Sequence, residues 1–464
     1  MEVFQQPILH VEARVKNNRD GIIIRTDLIR EEVTKWLIAN FVVLSLGQEI
    51  SSFEGLSDSH AQVIDSVVVT ECSGEDMESG AYRLQQVELD VQAYQLRAAF
   101  EQESSQQTQP LEESMDSKDE DSKARVLNLP SRELDGLWES LLFDQPLKSM
   151  LLRAITRMVS YSSRKLNRWT INWNRLILLW GPPGTGKTSL CRGLSQKLAI
   201  RIGKPYPQSK LVEINAHSLG SKFFGESGKL VSKTFENIES LLEEEEDTFF
   251  CVIIDEIETL AARRERALGG NEPFDAVRAV NALLTGLDRL KTHANVVVIC
   301  TSNLVTALLM KYIAIAQDQA FLDRVDIKQF IPYLSNRAIY GIYKECLEEL
   351  SRCGIIEGTS FDVVQVNPEN PQTALQYVEQ ATEILLLPTF DEMLLNYQMF
   401  PDAVPKQLGD AALESMNLSG RTVRRLPALS LVLYSKRARC NTREAVHALR
   451  TGIMSEIQAK AEAQ

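Results

Sequence analysis

Apolar positions along the chain follow two rhythms. Residues 176–180, 211–215, 249–254 and 296–300 are mostly continuous apolar runs, and a further, apolar-bounded run covers 327–331. Continuous runs of this kind suit strands buried on both faces, where neither side meets water. Between them, Leu190, Cys191, Leu194 and Leu198 recur at helical spacing, as do Val231, Phe235, Ile238 and Leu242, and then Val277, Val280, Leu284 and Leu287. Strand alternating with helix predicts a parallel sheet covered on both faces. From about Asn336 the strand pattern stops, a Pro/Asn-containing stretch lies near 366–371, and the rest reads as a smaller, mainly helical domain.

The first hundred residues carry mixed signals and read as a compact α+β unit. Ile29, Val33, Trp36 and Leu37 form a helical stripe behind Asp27, a candidate cap, while 66–70 and the alternation Val87, Leu89, Val91, Ala93 read as strands. His10 and His60 stand isolated and read as satisfied or exposed histidines rather than metal ligands. Residues 101–121 then turn to Glu, Ser, Gln and Asp, with eight acids against one lysine. Such a stretch cannot bury enough surface to offset its ordering entropy and reads as a solvated linker. The expected organisation is an N-terminal domain over 1–100, an acidic linker over 101–125, a large α/β subdomain over 126–335 and a helical subdomain over 336–464.

Composition narrows the function. A chain of 464 residues with 44% hydrophobic and 24% charged residues has the profile of a soluble protein with more than one domain. Its net charge of −13, about half of it in 101–121 (8 − 1 = 7), disfavours a general binder of nucleic acid or anionic membrane, which needs clustered cations. The first residues have neither a basic nor an apolar run, and nothing later reaches spanning length, so no secretion or membrane insertion is expected. Seven cysteines without a CxxC pair read as reduced thiols.

The sharpest chemistry is Gly181-Pro182-Pro183-Gly184-Thr185-Gly186-Lys187-Thr188, which follows the first apolar run and opens a helix. Glycines let the backbone approach phosphates, free N–H groups and the helix dipole converge on them, and Lys187 adds a point charge. Thr188 offers a hydroxyl to Mg²⁺. The run 249–254 ends in Asp255-Glu256, placing two carboxylates where open parallel sheets bind ligands. Asp255 is the candidate for holding Mg²⁺ and Glu256 for activating water, against the alternative of acids in a helix first turn. After 296–300 comes Thr301-Ser302-Asn303, where Asn303 is either a sensor of the terminal phosphate or a turn residue. Arg324, in Phe321-Leu322-Asp323-Arg324-Val325-Asp326, is either a fork for phosphoryl oxygens or paired with Asp323 or Asp326. Arg421, in Ser419-Gly420-Arg421, is either a second nucleotide contact or an exposed arginine at a helix end. Phe223 and Phe224, in a polar segment with Gly225, are either binding aromatics or folded into the core.

In this order and spacing, these motifs resemble the AAA+ ATPases, and within them the pachytene checkpoint protein 2 family, also called thyroid receptor-interacting protein 13. The nearer likeness is carried by Leu129-Pro130, Leu137 to Leu141, Asn172 to Arg175, Glu213 to Leu219, Ser221 to Leu230, Asp326 to Gln329 and Cys346 to Leu350. The resemblance implies an α/β AAA+ module, with a five-stranded parallel sheet flanked by helices and a small α-helical lid, plus a separate α+β N-terminal domain. It implies ATP and Mg²⁺ as cofactors, with residues Gly181 to Thr188, Ser189 and Arg421 on the nucleotide, and Thr188 and Asp255 on the metal. Glu256, Asp255, Asn303 and Arg324 would be catalytic, Arg324 acting across a homohexamer interface. Phe223, Phe224 and Gly225 would form the first pore loop and 263–272 the second. The implied clients are HORMA-domain proteins of the spindle checkpoint and the meiotic chromosome axis, presented with a comet adaptor, in the nucleus, on chromosomes and in the cytoplasm. No direct nucleic-acid or membrane partner is expected. A microtubule-severing or other disassembly ATPase and an ATP-binding checkpoint scaffold are the alternatives. Residues 304–320 exceed the link the family has at this place.

Overall fold

In a computed structural model of the chain, the described residues are 6–16, 25–73, 80–97, 124–144, 146–162, 164, 167, 170–216, 227–259, 273–303, 319–365, 375–435 and 437–462. Two compact units emerge. The first joins Met1–Ser140, Lys148–Trp180 and Thr188–Phe330, and the second joins Leu141–Leu147, Gly181–Lys187 and Ile331–Gln464.

Within the first unit, the N-terminal part pairs β1 (Ile8–Val15) with strands on both sides. The strands β2 (Val43–Ser45), β3 (Glu49–Ile50), β4 (Ile64–Cys72), β5 (Ala81–Arg83) and β6 (Glu88–Gln95) make two sheets, ordered β3-β4-β1-β6 and β2-β5. β1 runs antiparallel to β4 and parallel to β6, with Val11 opposite Val91 and Ala13 opposite Ala93. Helix α1 (Thr26–Asn40) buries Ile29, Val33, Trp36 and Leu37, the stripe read from sequence. Asp27 is not its cap. The N-cap is Arg25, without a side-chain cap bond, and Asp27 sits in the first turn accepting from the Arg25 guanidinium. Neither lone histidine stands free: His10 meets Asp90 at 3.0 Å, and His60 meets Glu32.

The larger sheet of this unit contains β7 (Arg125–Leu129), β8 (Leu176–Trp180), β9 (Gln208–Asn215), β10 (Thr248–Asp255), β11 (Val296–Ser302) and β12 (Ile327–Phe330), in the order β12-β8-β11-β10-β9-β7. Strands β8 to β12 are parallel, matching the five apolar runs, and every residue of β11 is buried. A sixth strand, β7, pairs antiparallel with β9 at the edge, with Val126 opposite Val212. Helices α2 (Leu147–Ser162), α3 (Lys187–Arg201), α4 (Ser227–Glu244), α5 (Pro273–Leu290) and α6 (Gln319–Arg324) belong to the crossovers and flanks. One face of the sheet is covered by Val231, Phe235, Ile238 and Leu242 of α4 and by Ala279, Val280, Leu283 and Leu287 of α5. The Val277 side chain lies outside the described residues. Gly286 sets the approach of these two helices, since a Cβ there would meet the Phe235 ring at 2.3 Å. Ahead of β8, buried Arg175 donates to the carbonyls of Lys291 and Val296 at 2.9 and 3.0 Å and also to that of His293, fixing the loop before β11.

The second unit holds α7 (Asn336–Arg352), α8 (Phe390–Asn396), α9 (Val404–Glu414), α10 (Gly420–Tyr434) and α11 (Thr442–Glu462). Its core gathers Tyr340, Tyr343, Leu347, Leu408, Val423, Leu426, Leu449 and Ile453, with the Tyr343 hydroxyl 2.7 Å from Ser415 Oγ. Ser335 caps α7 and a Thr389/Glu392 capping box starts α8, supplying acceptors to first-turn N–H groups. The expectation of a strandless region needs correction. On either side of the Pro/Asn stretch, which lies outside the described residues, β13 (Thr359–Gln365) and β14 (Leu375–Ala381) pair antiparallel.

Candidate functional site

In the first unit, three sheet-end residues converge. Thr188, at the start of α3, donates through its hydroxyl to Asp255 Oδ1 and Oδ2 at 2.9 and 3.2 Å. Asp255 ends β10, and on the adjacent strand Thr301 also donates to it. Thr301 then accepts from the backbone N–H of Glu256 at 3.1 Å, and its own carbonyl accepts from Ile257 N–H at 3.0 Å. Glu256 is held at φ +56°, a left-handed conformation that a side chain adopts only where its surroundings impose it. The Asn303 N–H donates to Glu258 Oε1 at 3.0 Å, while Glu258 Oε2 is buried without a partner among the described residues.

The glycine-rich loop is organised within the second unit. Gly184 and Gly186 adopt φ +73° and +90°, open to glycine and costly for other residues. A Cβ on Gly184 would stand 2.6 Å from Ser419 Cβ, and the Gly184 carbonyl accepts from Gly420 N–H at 2.8 Å. Gly181 is pressed closer still to Ile331, whose carbonyl oxygen would lie 2.2 Å from an added Cβ. Lys187 is buried, its Nζ donating to the carbonyls of Gly181 and Pro182 at 3.0 and 2.6 Å. Thr185 donates to the Pro182 carbonyl at 3.0 Å, Pro183 is exposed, and Ser189 is half-buried in α3. Arg421 is exposed in the first turn of α10, beside the loop, and the cap of that helix is Ser419 rather than the arginine.

The donor set fits the expected groups. A hydroxyl and a carboxylate in direct contact offer the hard oxygen ligands that Mg²⁺ takes, and a buried ammonium on a glycine loop offers charge for phosphate oxygens.

Arg324 ends α6 and forms a two-pronged pair with Asp288 on α5, at 2.9 and 2.8 Å, and also donates to the Ala320 carbonyl at 2.7 Å. The pairing lowers the Asp288 pKa, through the hydrogen bond first and the charge second. Neither Asp323 nor Asp326 takes that role. Asp326 instead accepts from the backbone N–H groups of Asn174 and Leu176 at 2.9 and 3.2 Å. Phe223, Phe224 and Gly225, the stretch 263–272 and residues 304–318 lie outside the described residues. Thr301 and Glu258 were not singled out from sequence, although Thr301 belongs to the triplet read for Asn303.

Residues 4–99 match the family model of the TRIP13 N-terminal domain, 177–333 that of the ATPase family associated with various cellular activities, and 335–457 that of the TRIP13-like AAA+ ATPase lid C-terminal domain. The pachytene checkpoint protein 2 homologue of Arabidopsis thaliana is 44% identical over 309 residues, covering 65% of this chain and 60% of the relative. The Homo sapiens homologue is 42% identical over 306 residues, covering 66% and 63%. These alignments thus span less than two thirds of those relatives, whereas the Danio rerio homologue is 36% identical over 434 residues, 93% of this chain and 89% of the relative. The solved structure of C. elegans PCH-2 superposes with a TM-score of 0.67 at 28% identity, covering 97% of this chain and 99% of that one. With an N-terminal, an AAA ATPase and a lid domain in the same order, the chain belongs to the pachytene checkpoint protein 2 family of AAA+ ATPases.

Proposed function

We propose that this protein hydrolyses ATP as a homohexamer and uses the cycle to convert HORMA-domain proteins from a closed, partner-bound state to an open one. The observation that carries the hydrolytic part is the Thr188–Asp255–Thr301 cluster with Glu256 beside it, directly after a phosphate-binding loop. Family membership supports the client class.

Each residue then has a definable task. Lys187 and the loop N–H groups hold the phosphates, and Arg421 adds a cation from the lid side. Thr188 and Asp255 would hold Mg²⁺, which would supply positive charge to the phosphate oxygens. Glu256, fixed by Thr301, orients water and takes its proton, and Asn303 reports the terminal phosphate. Arg324 from a neighbouring copy stabilises charge spread over the transferred group, exchanging its Asp288 pairing for phosphate oxygens. Phe223 and Phe224 grip the client, and the N-terminal domain receives it with a comet-type adaptor. Nucleus, chromosomes and cytoplasm are the proposed locations. No helix among the described residues is long and apolar enough to cross a membrane.

The test is multiple-turnover ATPase with purified HORMA proteins, with and without adaptor. Stimulated turnover with client opening is expected, while Glu256→Gln keeps nucleotide binding and loses at least ~100-fold in kcat, the lower end of what a general base contributes. Normal turnover in that variant would remove Glu256 from the mechanism. Binding without turnover in the native chain would favour a scaffold, and stimulation by tubulin alone a severing enzyme.

A further inference from the structure

Helix α3 begins beside Thr188 and ends against the N-terminal domain. Lys197 Nζ lies 2.8 Å from Glu12 Oε2 on β1 and 2.9 Å from Glu139 Oε1, with the Lys197 and Glu12 side chains 10% and 8% exposed. One turn on, Arg201 Nη2 lies 2.9 Å from Glu71 Oε2 on β4, at 5% and 11% exposure. Just past the helix, Lys204 pairs with Asp90 of β6 at 2.6 Å, and the Gly203 carbonyl accepts from Arg30 of α1 at 3.2 Å.

The backbone is stitched at the same face. Arg97 N–H, at the exit of the N-terminal domain, donates to the Pro130 carbonyl at 2.8 Å, and Arg132 N–H donates back to the Arg97 carbonyl at 3.1 Å. Gln196 of α3 holds Ser131 both ways, accepting from its N–H at 2.8 Å and donating to its carbonyl at 2.9 Å. Arg97 is therefore tied to Pro130 and Arg132, and Ser131 between them is tied to α3.

Exposed ion pairs contribute little, but removing one partner of a desolvated pair strands a charge away from water. Glu71 shows the stake, because its other oxygen is already buried without a partner among the described residues. A rotation or slide of the N-terminal domain would strand Arg201, Glu71 and Glu12 together, while Lys197 would keep only its exposed partner Glu139.

We propose that Lys197 and Arg201 are positioning residues that lock the N-terminal domain onto α3, so that movement of the helix carrying Thr188 carries that domain as one body. Nucleotide turnover then reaches the client through α3 as well as through the channel. This last consequence rests on the proposed client-handling function, whereas the lock does not.

The experiment uses the full chain with probes at Ser59→Cys and Glu244→Cys, after Cys353→Ser removes the exposed thiol, with labelled copies diluted into excess unlabelled chain so that only pairs within one copy are read. A single narrow distance distribution is expected. Arg201→Glu should broaden it, and the swap Glu71→Arg with Arg201→Glu should restore it, which separates a broken lock from a misfolded chain. In parallel, basal ATPase should stay within about twofold in Arg201→Glu while client-stimulated turnover falls on the order of 10-fold, within the usual range of coupling between sites, and the swap should recover it. A broad distribution in the native chain, or one unchanged by Arg201→Glu, would overturn the lock whether or not any client is processed. A broadened distribution with client-stimulated turnover intact would overturn the coupling alone.

Discussion

Thr301 is the residue on which the Thr188–Asp255–Glu256 cluster closes. Its hydroxyl donates to Asp255 and accepts from Glu256 N–H, so one small side chain sets both carboxylate-bearing residues. Holding a non-glycine residue such as Glu256 at φ +56° costs about 1–3 kcal/mol, and the bonds from Thr301 and Thr259 around it offset that cost. Thr301→Ala leaves the Glu256 N–H without its acceptor, a loss of about 1–3 kcal/mol. If that loss falls on the orientation of Glu256, kcat drops by roughly 10- to 100-fold, since each 1.36 kcal/mol is tenfold. Nucleotide affinity, which the proposal assigns to the loop and Lys187, should change by less than about threefold, under 1 kcal/mol. Thr301→Ser, which keeps the hydroxyl, should restore most of the rate. Single-turnover hydrolysis beside equilibrium nucleotide binding makes the comparison, and an unaltered kcat in Thr301→Ala would show that Glu256 is positioned by other means.

At the scale of elements, the α4–α5 contact depends on a missing side chain. Phe235 is buried against Gly286, where a Cβ would enter its ring. Gly286→Ala gains helix propensity but must displace that ring, and overpacking of this kind costs about 1–3 kcal/mol, more than the roughly 1 kcal/mol that alanine returns. A lower urea midpoint is expected, with partial recovery when Phe235→Leu is added. A midpoint equal to the native one would mean the helices separate at no cost.

Such contacts explain what the sequence made legible. Strands β8, β10 and β11 stood out because burial on both faces demands nearly uninterrupted apolar residues, and β9 showed through Leu211, Val212 and Ile214. β7 did not, since an edge strand with exposed Arg125 and Val126 needs apolar residues only where it meets the core, at Leu127 and Leu129. β13 and β14 escaped for the same reason, most of their residues being partly or fully exposed. The Asp27 cap failed because the aspartate found an arginine two residues back instead of the helix N–H groups. In the site, the loop and the acidic pair were legible as local motifs, while the Asp288 partner of Arg324 lies 36 residues away and only folding joins them.

At the scale of the whole molecule, the charges between the N-terminal domain and α3 determine how that docking responds to pH. Burial would raise the Asp90 pKa, but the bonds from His10 and Lys204 and the charge of Lys204 outweigh it and hold the carboxyl well below its ordinary range. Glu139 is lowered as well, burial being outweighed mainly by the charge of Lys197. Burial would lower Lys197, yet Glu12 and Glu139 raise it above its ordinary value. Nearby, burial first and the Glu12 charge second push the Tyr94 phenol up to about 12, so it stays neutral through the working range. The signs follow. Carboxylates with depressed folded values stabilise fully above their unfolded pKa of about 4 and lose that contribution as pH falls through the folded value. A lysine with a raised folded value contributes fully below about 10.4 and loses its share as pH rises through the folded value. The docking should therefore be flat from about pH 5 to pH 10 and weaken on both sides, since linkage acts only where bound protons differ between states. Thermal unfolding of the first unit across pH measures this, and Asp90→Asn supplies the control. Without a titrating group at position 90, the variant should be less stable on the plateau and fall less steeply below about pH 4, the unfolded aspartate value. An acid limb as steep as that of the native chain would assign the pH response to carboxylates elsewhere and leave Asp90 a hydrogen-bonding anchor only.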